Sequence, residues 1–126
     1  MTMIKKKKDS FIIDRLKSIR YALRGALKLI RTESSILAQS LVFLGFLLLG
    51  WYVGITPYEW IIQIICFGMV LTAEGLNTAI EKLCDFVHPD FHHKIGEVKD
   101  ISAGAVTFSA GASFIVACFI YYPYFF

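Results

Sequence analysis

From residue 10 the apolar positions recur at helical spacing. Ile12, Leu16, Ile19, Leu23, Leu27 and Ile30 fall three or four residues apart, and Lys17, Arg20, Arg24, Lys28 and Arg31 make a second stripe of the same period. The two stripes predict a basic amphipathic helix over residues 10–32, suited to a membrane interface with its cations toward phosphates. The lysine-rich residues 1–9 have nothing to bury and are expected to be disordered. Three long apolar stretches follow, at 35–53, at 58–86 after a Thr56-Pro57 helix-start signal, and at 100–122, uncharged beyond Asp100. Each supplies the roughly 20 helical residues that cross a bilayer core of about 30 Å. The expected fold is a single all-α integral-membrane domain over 1–126: one surface helix and three transmembrane helices.

Composition strengthens this reading. Of 126 residues, 56% are hydrophobic and only 18% charged, and the mean hydropathy is +0.60, too apolar for an ordinary soluble domain. The length excludes a multidomain enzyme, and one short chain cannot enclose a cleft of usual size unless it assembles with copies of itself. Net charge is +3, with most Lys and Arg between Lys5 and Arg31. A basic arm ahead of an apolar body points to anionic lipid, and no nucleic-acid partner is expected. Lys94 and Lys99 add cations to the expected 86–99 loop, whereas the loop from Gly50 to Glu59 has none. The positive-inside rule therefore predicts an N-in, C-out chain in the cytoplasmic membrane, its last aromatics at the far interface. No cleaved leader is expected, because the long apolar runs begin only near Ile36. Cys66, Cys84 and Cys118 fit neither a disulfide framework nor a metal knuckle and read as small core residues.

The second span carries the chemistry. Glu74, Asn77, Glu81 and Asp85 share nearly one face of a helix, with Glu74 about 16 Å along the axis from Asp85 and inside the membrane on its cytoplasmic side. Aligned ionisable groups are costly there and mark a functional site. A carboxylate held away from water suits Glu74 to general-base work. Glu33 lies at the same membrane edge and, with Glu81 and Asp85, offers oxygen ligands for Mg²⁺; taken alone it reads better as a first-turn helix acid. Lys99 and Asp100 open the third span, where they can meet phosphate or pair with each other. Ala103, Thr107 and Gly111 beyond them are small residues at the spacing of close helix packing. His88, His92 and His93 read as capping or lining their loop rather than as zinc ligands, given Pro89 and no thiolate pair. No P-loop, dinucleotide fingerprint or protein-kinase signature occurs. Two other classes fit part of the pattern: an ion-translocating subunit with Glu74 as carrier, and a scaffold whose polar groups only join helices.

The run Glu74-Gly75-Leu76-Asn77-Thr78-Ala79-Ile80-Glu81, followed by Asp85 and by Lys99-Asp100 with its small-residue stretch, resembles the signature of the prokaryotic integral-membrane diacylglycerol kinases, a family that includes undecaprenol kinases. The resemblance spans nearly the whole chain and implies a homotrimer whose sites are shared between subunits. It implies an ATP-dependent lipid kinase, with diacylglycerol as the first acceptor and undecaprenol as the alternative. Glu74 is then the general base, Asn77 orients the reacting groups, and Glu33 with Glu81 holds the Mg²⁺ of Mg-ATP. Tyr21, Asp85, Asp90, Phe91, His92, Lys99 and Asp100 match nucleotide-contacting positions alongside those two acids. Arg15, Lys17, Leu23, Arg24 and Ala103 join Glu74 on the lipid side, Leu23 standing where some members carry tryptophan.

Overall fold

Four helices make up the chain in a computed structural model that describes residues 10–126: α1 (Phe11–Thr32), α2 (Ser34–Val53), α3 (Pro57–Val87) and α4 (His93–Phe125). The expected disordered tail, residues 1–9, lies outside the described residues. Ser10 caps α1, its hydroxyl accepting from the Ile13 amide. The Thr56-Pro57 signal starts α3 as read, and Glu59 closes a capping box by accepting from the Thr56 amide at 2.8 Å. Gly54 ends α2 with φ of 71°, a left-handed conformation that a side chain would strain.

The third span begins earlier than its hydropathy indicates. His92 caps α4, its Nδ1 accepting from the Lys94 amide at 3.1 Å, so Lys94 and Lys99 are helical and the expected 86–99 loop shrinks to the turn 88–92. Loss of hydropathy marks where a helix leaves lipid, whereas a cap marks where it starts.

The helices α2, α3 and α4 are each long and apolar enough to cross a membrane. Their lengths differ: α2 has 20 residues, α3 has 31 and α4 has 33. They share one end, where Ile55, Ile120 and Tyr121 form a buried cluster. The Tyr121 hydroxyl donates to Gln63 Oε1 at 2.5 Å and lies 3.1 Å from the Phe46 carbonyl, to which Gln63 Nε2 donates at 3.3 Å. Tyr124 donates to Glu59 Oε2 at 2.6 Å. Gly50 sits in this crossing, where a Cβ would stand 3.1 Å from the Tyr121 hydroxyl.

With that end common, about 1.5 Å per residue puts Leu76 of α3 level with the start of α2. The rest of α3 overhangs at the end where α1 joins α2. Large apolar side chains such as Trp51, Phe108 and Phe119, each about 80% exposed, cover the outside of the spans, as a bilayer solvent permits. Replacing Tyr121 by Phe leaves the buried Gln63 carbonyl unpaired and is expected to destabilise the spans by about 0.5–1.5 kcal/mol, read by unfolding in mixed detergent micelles.

Candidate functional site

One stripe of α3 runs the length of the helix: Gln63, Val70, Glu74, Asn77, Glu81 and Asp85 recur at multiples of three and four. Its first half floors a groove of about 240 Å³ between α2 and α4, with the Phe43 and Phe67 rings stacked 3.5 Å apart inside it. The second half carries the acids. Glu74 is half-buried near the level of the start of α2, while Glu81 and Asp85 are exposed about 8 and 14 Å beyond it. Glu74 thus sits at the margin of the span rather than deep within it.

Each of the other acids meets a partner. Asn77 Nδ2 donates to Glu81 Oε1 at 3.2 Å, while the Asn77 carbonyl oxygen is buried without a partner. Lys99 Nζ lies 2.6 Å from Asp85 Oδ1, joining α4 to α3. Glu33 occupies the single non-helical position between α1 and α2, with φ −107° and ψ 114°. Its carboxylate stands at the positive end of α2, as a helix acid does, but makes no hydrogen bond to that helix. It turns instead to α3, where Lys82 Nζ lies 3.2 Å from Glu33 Oε1, and Thr32 donates to the same oxygen at 3.3 Å. One turn earlier, Leu29 packs over Gly75, where a Cβ would stand 3.2 Å from its Cδ1. Gly75 therefore admits the last turn of α1 to the flank of α3 beside Glu74.

The turn 88–92 is organised by its histidines. His88 Nδ1 donates to the Asp90 carbonyl at 2.7 Å, and the His88 and His92 rings meet edge to face at 5.1 Å. Phe91 and the Asp90 side chain face outward, as do Asp100 and Ala103 on α4. The predicted α1 contacts are not gathered at the acids within one chain. Tyr21, Leu23, Arg15 and Arg24 are exposed, Arg24 standing over the Tyr21 ring at 5.9 Å and Arg15 over Phe11 at 5.1 Å. Lys17 lies on the same exposed helix. Among the described residues, no three His, Cys, Asp or Glu side chains converge as a metal cage. Two carboxylates nevertheless suit Mg²⁺, which keeps waters and takes substrate phosphate oxygens as further ligands.

The model of the prokaryotic diacylglycerol kinase family matches residues 20–121, which include α2, α3 and the acidic stripe. The chain belongs to that family. It is also 34% identical over 108 residues to the undecaprenol kinase of Bacillus subtilis (strain 168), covering 85% of this chain and 87% of the relative. The family match covers every carboxylate of the α3 stripe, and Glu33 as well.

Sequence reasoning overlooked Lys82. The signal was present in the spacing of Gly75, Thr78 and Lys82, a second stripe beside the acidic one, but only the docking of α1 gives it meaning. Gly75→Ala needs a shift of a few tenths of an ångström from the Leu29 side chain and should retain kinase turnover within about twofold. Gly75→Leu must displace the end of α1 and is expected to cost about a hundredfold in turnover of assembled protein. Lipid phosphorylation measured beside circular dichroism checks both.

Proposed function

We propose that this kinase transfers the γ-phosphoryl group of ATP to the hydroxyl of a membrane lipid alcohol at the cytoplasmic face of the inner membrane. The observation that carries the reading is the single α3 stripe that joins an apolar groove to a row of acids, with Glu74 at their boundary. A lipid lying along that stripe has its chain among Phe43, Phe67 and Val70 and its hydroxyl at Glu74. Undecaprenol leads as acceptor, because the Bacillus subtilis relative is named for it. Diacylglycerol, which the family's description names, is the second reading, with one acyl chain in the groove and the other in the bilayer.

In the reaction Glu74 accepts the hydroxyl proton as the oxygen attacks phosphorus. Asn77 holds Glu81 through its amide, and its free carbonyl oxygen is an acceptor for the incoming hydroxyl or headgroup. Glu33 and Glu81 would hold Mg²⁺, which when bound would supply charge neutralisation on the polyphosphate. Lys99, drawn onto α4 beside Asp85, offers its ammonium to the phosphates, with Asp90, Phe91, His92 and Asp100 along the same rim. Phosphoryl transfer asks the protein mainly for position and charge, which this rim is able to supply.

The N-in, C-out orientation follows from the cations of α1 and of Lys94 and Lys99 at the acidic end. A homotrimer supports the same reading: exposed Tyr21, Arg15, Lys17, Leu23 and Arg24 then complete a neighbour's site. A second groove along Gly68, Thr72, Ser102 and Ala105, with Ser109 Oγ buried and unpartnered, accepts a helix of another copy.

The experiment is transfer of labelled phosphate from Mg-ATP to a panel of undecaprenol, diacylglycerol and a non-hydroxylated lipid control in bilayer nanodiscs. Transfer to undecaprenol above diacylglycerol is expected; no transfer to either alcohol overturns the kinase reading. Glu74→Gln should lower turnover about 10²- to 10⁴-fold while leaving assembly intact. Proton flux through liposomes without ATP would favour ion translocation instead.

A further inference from the structure

The acidic rim is occupied by the chain's own lysines. Lys99 lies against Asp85, and Lys82 lies against Glu33, which Proposed function assigns to the metal. Lys82 is the less obvious of the two. It follows Glu81 in sequence but leaves the acidic stripe for its flank, where the junction of α1 and α2 brings Glu33 to it. The two side chains differ in freedom: Lys82 is 66% exposed and Glu33 only 23%. Leu29 over Gly75 anchors the junction one turn away, so Glu33 is the fixed partner and Lys82 the mobile one.

From this arrangement we infer that Lys82 is an exchangeable counter-ion: it holds the Glu33 carboxylate when no ligand is bound, and moves to a nucleotide phosphate oxygen when a divalent cation takes its place. The inference rests on the assignment of Glu33 to the metal. A monovalent ammonium at 3.2 Å from a carboxylate competes directly with a divalent ion for the same oxygen. An exposed ion pair is weak, so Mg²⁺ displaces it at small cost. The released ammonium, on a flexible four-carbon stem, stays within reach of whatever anion accompanies the metal. The carboxylate exchanges a monovalent cation for a divalent one, and the phosphates that arrive with the metal receive the ammonium released. Lys82 would thereby link metal and nucleotide, resisting the bare ion and favouring the ion that arrives with polyphosphate.

This predicts opposite effects on two ligands, which a merely structural role would not produce. The full-length protein in nanodiscs is titrated with Mn²⁺ alone, followed by electron paramagnetic resonance, and with a non-hydrolysable ATP analogue at saturating Mg²⁺, followed by calorimetry. Lys82→Met should bind Mn²⁺ about two- to fivefold more tightly, the scale of an exposed ion pair. It should bind the nucleotide analogue about tenfold more weakly, the scale of one charge-assisted hydrogen bond. Lys82→Arg should restore both toward wild type, and Glu33→Gln should lose the Mn²⁺ site. Weakening of both ligands in Lys82→Met, or no change in either, overturns the exchange and leaves Lys82 as a strut of the α1–α2 junction. Retention of wild-type Mn²⁺ binding in Glu33→Gln overturns the metal assignment itself, and the exchange with it. Loss of metal in Glu33→Gln beside wild-type behaviour in Lys82→Met overturns the exchange alone.

Discussion

The mismatch in helix length governs the rest of this molecule. A 20-residue α2 is about one hydrocarbon thickness long, and α3 and α4 are half again as long. The bond from Tyr121 to Gln63, close to the Phe46 carbonyl, joins the three at one end. The surplus must therefore emerge at the other. That surplus contains Glu81 and Asp85 on α3 and Lys99 and Asp100 on α4, so the charged groups leave lipid together without any of them being buried at the bilayer centre. Glu74 falls near the level of the start of α2, between the apolar groove and the exposed acids.

At that rim the ionic contacts are made between elements rather than within them. Lys99 of α4 reaches Asp85 of α3, and Lys82 of α3 reaches Glu33 at the α1–α2 junction. Surface ion pairs of this kind contribute little stability. Their consequence is positional: they tie α4 to α3 and the α1–α2 junction to α3 at the same end of the bundle. Asn77 holds Glu81 within α3. The opposite end of the bundle is built differently, from hydrogen bonds of Tyr121 with Gln63 and a backbone carbonyl and of Tyr124 with Glu59, with no lysine or arginine among them.

A single chain leaves much unfinished. Leu29 of α1 packs against α3 at Gly75, while Tyr21, Arg15 and Arg24 are exposed. The groove containing Ser109 holds small residues and unpaired oxygens where another helix can approach closely. Both features lie on the outside of the chain.

The periodicity of α1, the three apolar runs, the Thr56-Pro57 start and the Glu74–Asp85 stripe were legible in the sequence, because helical spacing and hydropathy are local properties that the chain carries wherever it goes. The start of α4 was misread, since charge in its first two turns hides a helix that the His92 cap begins. Pairings between helices were not legible at all. Glu33 taken alone reads as a helix acid until the α1–α2 junction turns it to Lys82, and Gln63 is one more residue of a span until Tyr121 reaches it from α4. Sequence by itself determined which helices form and which face of α3 is acidic. Tertiary structure alone decided which acid meets which lysine, because those distances depend on where three helices of unequal length are tied.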